Sequence, residues 1–231
     1  MPIDFGQFER VNALHFKNKK LLEQAFTHRS YINENKRGKL EHNERLEFLG
    51  DAVLELAVTV YLFEKYPKSN EGDLTSYRAA LVNANTLSEL ARKIGTEPFL
   101  LLSKGELKDT GRARQFILAN TFEALIGAIY LDQGYEPAKE FIAVNLFPLT
   151  EKIVEDKLWL DAKSHFQEKA QEETGITPSY KTVLEAGPDH DKHFTIAVYL
   201  DNQMVAEGAG KSKQEAEQVA ARNALIVKSW Q

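Results

Sequence analysis

Apolar residues recur at helical spacing along the first two thirds of the chain and switch to strict alternation only near its end. Phe8, Val11 and Leu14, then Leu21, Leu22, Ala25 and Phe26, predict two short helices before a polar break at Thr27-His28-Arg29-Ser30. A loop over 33–39 follows; its Lys36, Arg37 and Lys39 read as a solvated tip rather than a binding element. The next helix runs over about 42–65, where Tyr66-Pro67 stops it. Polar residues 69–75 open another long helix, and Leu74, Tyr77, Leu81, Leu87 and Leu90 keep its spacing to Gly95. The polar stretch 104–114 leads into an apolar helix over 115–131. Asp132-Gln133-Gly134 ends that helix, and Pro137 begins another that reaches Phe147-Pro148.

No convincing strand interrupts this run, so residues 1–150 predict an all-α domain. Residues 151–160 are charged and read as a helical tail merging into a linker. The character then changes. Residues 163–174 form an amphipathic helix, 179–186 are strand-like, and Phe194, Ile196, Val198 and Leu200 alternate with the period of a half-buried strand. A third short strand over 204–208 precedes a helix over 212–228 capped by Ser212. The order α-β-β-β-α over 161–231, with tight pairs at Gly187-Pro188 and Asp201-Asn202, predicts a small α+β domain: three antiparallel strands with two helices on one face.

Candidate chemistry centres on the helix over 42–65. At about 100° per residue, Glu44, Glu47 and Asp51 share one narrow stripe while Leu46, Leu49, Val53 and Leu56 gather opposite. Like charges three and four residues apart repel by a few tenths of a kcal/mol per pair. A solvated acidic face is the plain reading. Phe48, Ala52 and Val58 border the acids, however, so the helix is apolar nearly all round and is expected to be central. Carboxylates in such surroundings call for a partner, and a hard divalent cation is one.

A second acid stands in the apolar helix. Glu123 is the only charged residue between Arg114 and Asp132, with Asn120 one turn earlier on the same face. It is either neutral and hydrogen-bonded or ionised beside a cation. If the two polar stripes face each other, Glu47, Asp51, Asn120 and Glu123 make an oxygen-rich cage.

Composition narrows the classes. The 231 residues contain no cysteine, which excludes disulfides and thiolate metal sites and suits a reducing cytoplasm. The start, Met1-Pro2-Ile3-Asp4-Phe5, lacks a signal-peptide pattern, and the apolar segment over 116–131 is short of the ~20 residues that cross a bilayer. A cytoplasmic protein with no membrane partner is expected. Net charge is −5, so a nucleic-acid partner must be argued from local patches.

The residues that carry these features resemble a known family. Asn43-Glu44-Arg45-Leu46-Glu47-Phe48-Leu49-Gly50-Asp51-Ala52-Val53-Leu54 resembles the signature of bacterial-type ribonuclease III, and Glu123-Ala124-Leu125-Ile126-Gly127-Ala128-Ile129-Tyr130-Leu131-Asp132 its second acidic motif. Glu71-Gly72-Asp73-Leu74-Thr75 and Arg78-Ala79-Ala80-Leu81-Val82 are also similar. The resemblance spans nearly the whole chain, including a C-terminal double-stranded-RNA-binding domain. It implies a homodimeric endoribonuclease that hydrolyses double-stranded RNA by metal-assisted water attack, leaving 5′-phosphate and 3′-hydroxyl ends. It also implies Mg²⁺, with Mn²⁺ as a substitute, and no organic cofactor. The implied ligands are Glu47, Asp51, Glu123 and position 120, with Asp51 and Glu123 catalytic. Glu44 and Glu71 would be outer-shell acids, and Phe48 would pack across the dimer.

One residue departs from the family: position 120 is Asn where the family has Asp. An amide keeps a carbonyl oxygen but loses the charge, so weakened catalysis is expected, and a silent RNA-binding dimer is the alternative. Such a near-isosteric change is typical of deliberate engineering; natural variation is the other origin.

A-form RNA is read through shape, 2′-hydroxyls and phosphates. For this the second domain offers Gln167 and Gln171 on its first helix, His190 in the loop after its first strand, and Lys211-Ser212-Lys213 at its last helix. Ordinary surface capping is the competing explanation for the last. From Asp161 onward there are 11 acids against 8 Lys and Arg, so modest, salt-sensitive binding is expected.

Overall fold

The computed structural model describes residues 3–35, 40–108, 110–155, 161–188 and 192–230. Two compact units divide the chain, Met1–Trp159 and Leu160–Gln231. Among the described residues, no helix is long and apolar enough to cross a membrane.

The first unit holds α1 (Phe5–Val11), α2 (Lys19–Ala25), α3 (Arg29–Glu34), α4 (Glu44–Lys65), α5 (Glu71–Leu81), α6 (Ala84–Lys93), α7 (Arg112–Gln133), α8 (Tyr135–Asn145) and α9 (Thr150–Glu155). Three single 3₁₀ turns, Glu97–Phe99, Glu106–Lys108 and Phe147–Leu149, fill the connections. Its one strand-like contact among the described residues is a bridge between Thr27 and Leu101.

Local chemistry sets the boundaries. Gly134 has φ +93°, a conformation that L side chains rarely adopt, and it separates α7 from α8. The long helix expected over 69–95 is two helices. Asn83 is extended, and its side chain accepts a hydrogen bond from the Thr86 amide at 3.0 Å, restarting the chain as α6. The stretch expected as polar break and loop after Phe26 contains α3, capped by the His28 ring, which accepts from the Ser30 amide. Lys36, Arg37 and Lys39 lie outside the described residues.

The core also differs from expectation in its centre. α7 is buried nearly all round, with Leu118, Phe122, Leu125, Ile126 and Ile129 inaccessible, and α4 packs along it. α4 itself is open on one side, where Leu56 is 54% exposed rather than packed with Leu46 and Val53. Two polar clasps secure the ends of these helices. Asn43 is buried and donates from Nδ2 to the Ala25 carbonyl at 3.1 Å, while its own amide bonds the Thr27 carbonyl at 2.9 Å. Asp132, near the end of α7, accepts from the Lys17 and Asn18 amides, both at 2.8 Å.

The second unit has the order α10 (Ala162–Thr174), β1 (Ser179–Ala186), β2 (His193–Leu200), β3 (Gln203–Gly210) and α11 (Lys213–Lys228). The strands form one antiparallel sheet in the order β1-β2-β3. A bulge between Thr182 and Leu184 interrupts the first pairing, and another follows Val198. Phe166 and Ala170 of α10, Val198 and Leu200 of β2, and Ala220, Ala221, Ala224 and Leu225 of α11 make a separate core, against which Trp230 packs. No pattern of alternation could have placed the bulges, which depend on tertiary packing.

Candidate active site and RNA-binding surface

The geometry begins with two glycines. A Cβ on Gly50 of α4 would lie 1.8 Å from the Glu123 carbonyl oxygen, and one on Gly127 of α7 would lie 2.2 Å from the Leu46 carbonyl oxygen. The helices therefore touch backbone to backbone, an approach that only glycine allows. Glu47 and Asp51 each follow by one residue a position in that contact, so the crossing sets the α4 acids beside Asn120 and Glu123 of α7.

The carboxyls of the two helices act on one another. Burial pushes the Glu123 carboxyl up to about 8, with further pushes from Asp51, Glu47 and Glu55. The Glu47 carboxyl is also raised, first by burial and then by Glu44 and Asp51, against a hydrogen bond from Asn120 that favours its ionised form. Two carboxylates therefore resist ionisation in the metal-free protein. Carboxylate and amide oxygens are the donors a hard divalent cation takes, and a cation would offset the mutual repulsion. Yet among the described residues no three His, Cys, Asp or Glu side chains are gathered closely enough to hold a metal by themselves.

The two acids expected outside the cage lie apart. Glu44 lies 3.5 Å from Arg29 and 3.7 Å from His42, and it acts on Glu47. Glu71 begins α5 and lines a pocket of about 460 Å³ with Thr59, Phe63, Leu74, Thr75 and Arg78. Phe48 is 80% exposed, and Leu56 and Phe63 continue its apolar row down α4.

In the second unit, Gln167 and Gln171 line an open cleft along α10 with Ser164, Glu168 and Glu172. Ser212 caps α11 by accepting from the Glu215 amide at 3.1 Å, and the Glu215 carboxylate accepts from the Lys211 amide at 2.8 Å. Gly208 and Gly210 let β3 run against α11, since a Cβ on either would meet the backbone of Ala220 or Ala216 at 2.1 and 2.7 Å. Lys213 sits at the first turn of that helix. His190 lies outside the described residues.

Residues 18–149 match the ribonuclease-III-like family, and residues 162–227 match the double-stranded RNA binding motif. Ribonuclease 3 of Bacillus velezensis is 46% identical over 221 residues, covering 96% of this chain and 88% of that protein. The chain belongs to the ribonuclease III family. Ribonuclease 3 of Bdellovibrio bacteriovorus is 44% identical, with 95% of this chain and 94% of the relative covered. Among solved structures, the nuclease domain of ribonuclease III from Campylobacter jejuni is 42% identical with a TM-score of 0.56, covering 63% of this chain and 99% of that one. The chain is thus an endoribonuclease of ribonuclease III type, a helical nuclease domain followed by a double-stranded-RNA-binding domain.

Within this ribonuclease III fold, two features of the site were not anticipated from the sequence. Glu55 is a further acid acting on Glu123, and its spacing of four from Asp51 on a helix was the available signal. Arg78 then joins Glu55 through Nε at 2.9 Å and donates to Thr59 Oγ1 at 2.9 Å, tying α5 to α4. No sequence pattern pairs those two helices in advance.

Proposed function

We propose that the chain cleaves double-stranded RNA at the α4/α7 crossing, with Glu47, Asp51 and Glu123 and the Asn120 carbonyl oxygen holding a divalent cation, Mg²⁺ or in its place Mn²⁺. The raised Glu123 carboxyl, wedged among other carboxylates at a glycine-enforced crossing, is the observation that carries this reading. A cation held there would supply Lewis acidity toward a phosphate oxygen and a more acidic bound water for in-line attack, an outcome that would leave 5′-phosphate and 3′-hydroxyl ends. The protein's own part is positioning: Asp51 and Glu123 face the reacting phosphate, while Glu44 and Glu71 serve as outer acids. Asn120 offers one oxygen and no charge. Its NH₂ donates to Glu47, which leaves the carbonyl oxygen as the atom for a cation.

The exposed row of Phe48, Leu56 and Phe63 along α4 supports a homodimer, with Phe48 buried in the partner. We assign residues 1–150 to the nuclease domain, 151–160 to a linker and 161–231 to the RNA-binding domain. In the latter, Gln167 and Gln171 face the minor groove, Lys211, Ser212 and Lys213 hold phosphate, and His190 is assigned to RNA contact from the sequence. A cysteine-free chain suits the cytoplasm.

Incubation with long duplex RNA, in Mg²⁺ or in EDTA, tests the reading. Cutting only with metal supports it. The loss of charge at Asn120 favours one alternative, a catalytically silent RNA-binding dimer, and a mobility shift without cutting in either buffer would establish that instead.

A further inference from the structure

Glu185 stands outside every motif that marked the chain, yet it sits between two lysines of the second unit, Lys192 and Lys213. Across the first strand pairing it is the direct partner of Phe194. Its Oε1 is 2.9 Å from Lys192 Nζ, and its Oε2 is 3.8 Å from Lys213 Nζ. Lys213 also lies over the Phe194 ring, 5.6 Å from its centre. The carboxylate thus bridges the base of the β1–β2 connection and the first turn of α11. Its two contacts differ: 2.9 Å is a charge-assisted hydrogen bond, whereas 3.8 Å is an ion pair without one. Lys213 remains 58% exposed and keeps its donors for another acceptor. Lys192, and after it Lys213, holds the Glu185 carboxyl below its ordinary range, so the charge persists at neutral pH.

We propose that Glu185 is an internal stand-in for an RNA phosphate, bridging Lys192 and Lys213 in the free protein and yielding Lys213 to the RNA backbone on binding. This rests on the assignment of Lys213 to phosphate contact. A carboxylate offers a lysine ammonium the same kind of anionic oxygens as a phosphate does, so the exchange leaves no ammonium unpaired on either side. Lys192 stays with Glu185, which keeps the strand connection attached beside the bound backbone. Such an arrangement attenuates attraction to any polyanion. Only a phosphate delivered in register with the rest of the surface displaces a partner already in place. It also accounts for how a domain of net negative charge presents a usable cationic helix start without a broad basic patch.

The test uses the full-length protein with an RNA duplex longer than the ~16 base pairs such a domain spans, labelled for fluorescence anisotropy and held in EDTA to prevent cutting. Glu185→Gln removes the charge and keeps the shape, and because the side chain is exposed, the melting temperature serves as the folding check. The expected result is binding about two- to five-fold tighter at low salt, the scale of an exposed ion pair. The slope of log K against log salt should stay close to that of the parent, since Lys213 meets phosphate in both complexes. Lys213→Ala should weaken binding, and the double variant should bind like Lys213→Ala alone. Unchanged or weaker binding by Glu185→Gln, with Lys213→Ala still impaired, overturns the role of Glu185 and leaves the phosphate assignment standing. No effect of Lys213→Ala overturns both.

Discussion

Replacing Gly50 by alanine probes the contact on which the site is built. The added methyl would sit 1.8 Å from the Glu123 carbonyl oxygen, 2.7 Å from its carbonyl carbon and 2.9 Å from the Gly127 amide. Ordinary contact requires α4 and α7 to part by roughly 1.5 Å, and no side-chain rotation relieves a clash with backbone. Alanine gains about 1 kcal/mol of helix propensity over glycine. Against that, overpacking costs typically 1–3 kcal/mol, and a gap of this width forfeits about half or more of the dispersion between the facing sides of α4 and α7. A net loss of about 3 kcal/mol follows, which for a domain of this size lowers Tm by about 6–12 °C. The clash is with the backbone of Glu123 itself, so the carboxylate moves too. A misplacement of about 1 Å costs about 100-fold in rate. Circular dichroism melts and duplex cleavage in an Asn120→Asp background measure both effects. Gly105→Ala, whose methyl would meet nothing nearer than 3.8 Å, is the control. If Gly50→Ala melts and cleaves like the parent, the crossing does not set the site.

Restoring charge with Asn120→Asp should raise Mg²⁺-dependent cleavage of long duplex RNA by orders of magnitude without changing its affinity for RNA in EDTA; equal rates would argue that the lost charge is irrelevant. In metal-free protein, the Glu123 carboxyl is raised from an ordinary 4.5 to about 8, so its contribution is fully present below about 4.5 and is lost as pH climbs through 8. Urea midpoints in EDTA should therefore fall over that window, and Glu123→Gln should flatten the decline. Phe48→Asp, made on a side chain already exposed in the single chain, should convert dimer to monomer in sedimentation velocity while leaving the fold intact. Asn43→Ala leaves the Ala25 carbonyl without its donor and should cost about 1–3 kcal/mol in chemical denaturation.

Much of this fold can be read from periodicity, although α7 is buried on nearly every side and Ala197 of β2 is buried along with its neighbours. Leu118, Phe122, Leu125 and Ile129 repeat at helical spacing, and Ile196, Val198 and Leu200 alternate, with every one of them buried. Reading failed where a single polar residue redirected the chain. At Asn83 the apolar spacing continues across the break, and only the side-chain cap reveals it. Leu56 fits the apolar pattern of α4 but remains exposed, since periodicity reports that a face is apolar and not what covers it. The candidate site was legible as two separate half-motifs. Their meeting depends on Gly50 and Gly127, whose importance lies in an absent side chain and so leaves no chemical signal. Arg78 with Glu55, and Glu185 with its lysines, depend on contacts between elements that no local pattern encodes.

The clasp at Asp132 carries a consequence for how the protein is made. Its carboxylate holds the amides of Lys17 and Asn18, 115 and 114 residues earlier in the chain. At synthesis rates of about 5–20 residues per second, that interval lasts roughly 6–23 s. During it α1 and α2 have left the ribosome without the acceptor that fixes the turn between them, and the acids of α4 likewise await Glu123. The nuclease unit must therefore close late and as a whole, with its N-terminal apolar faces open to chaperones until the last turns of α7 arrive.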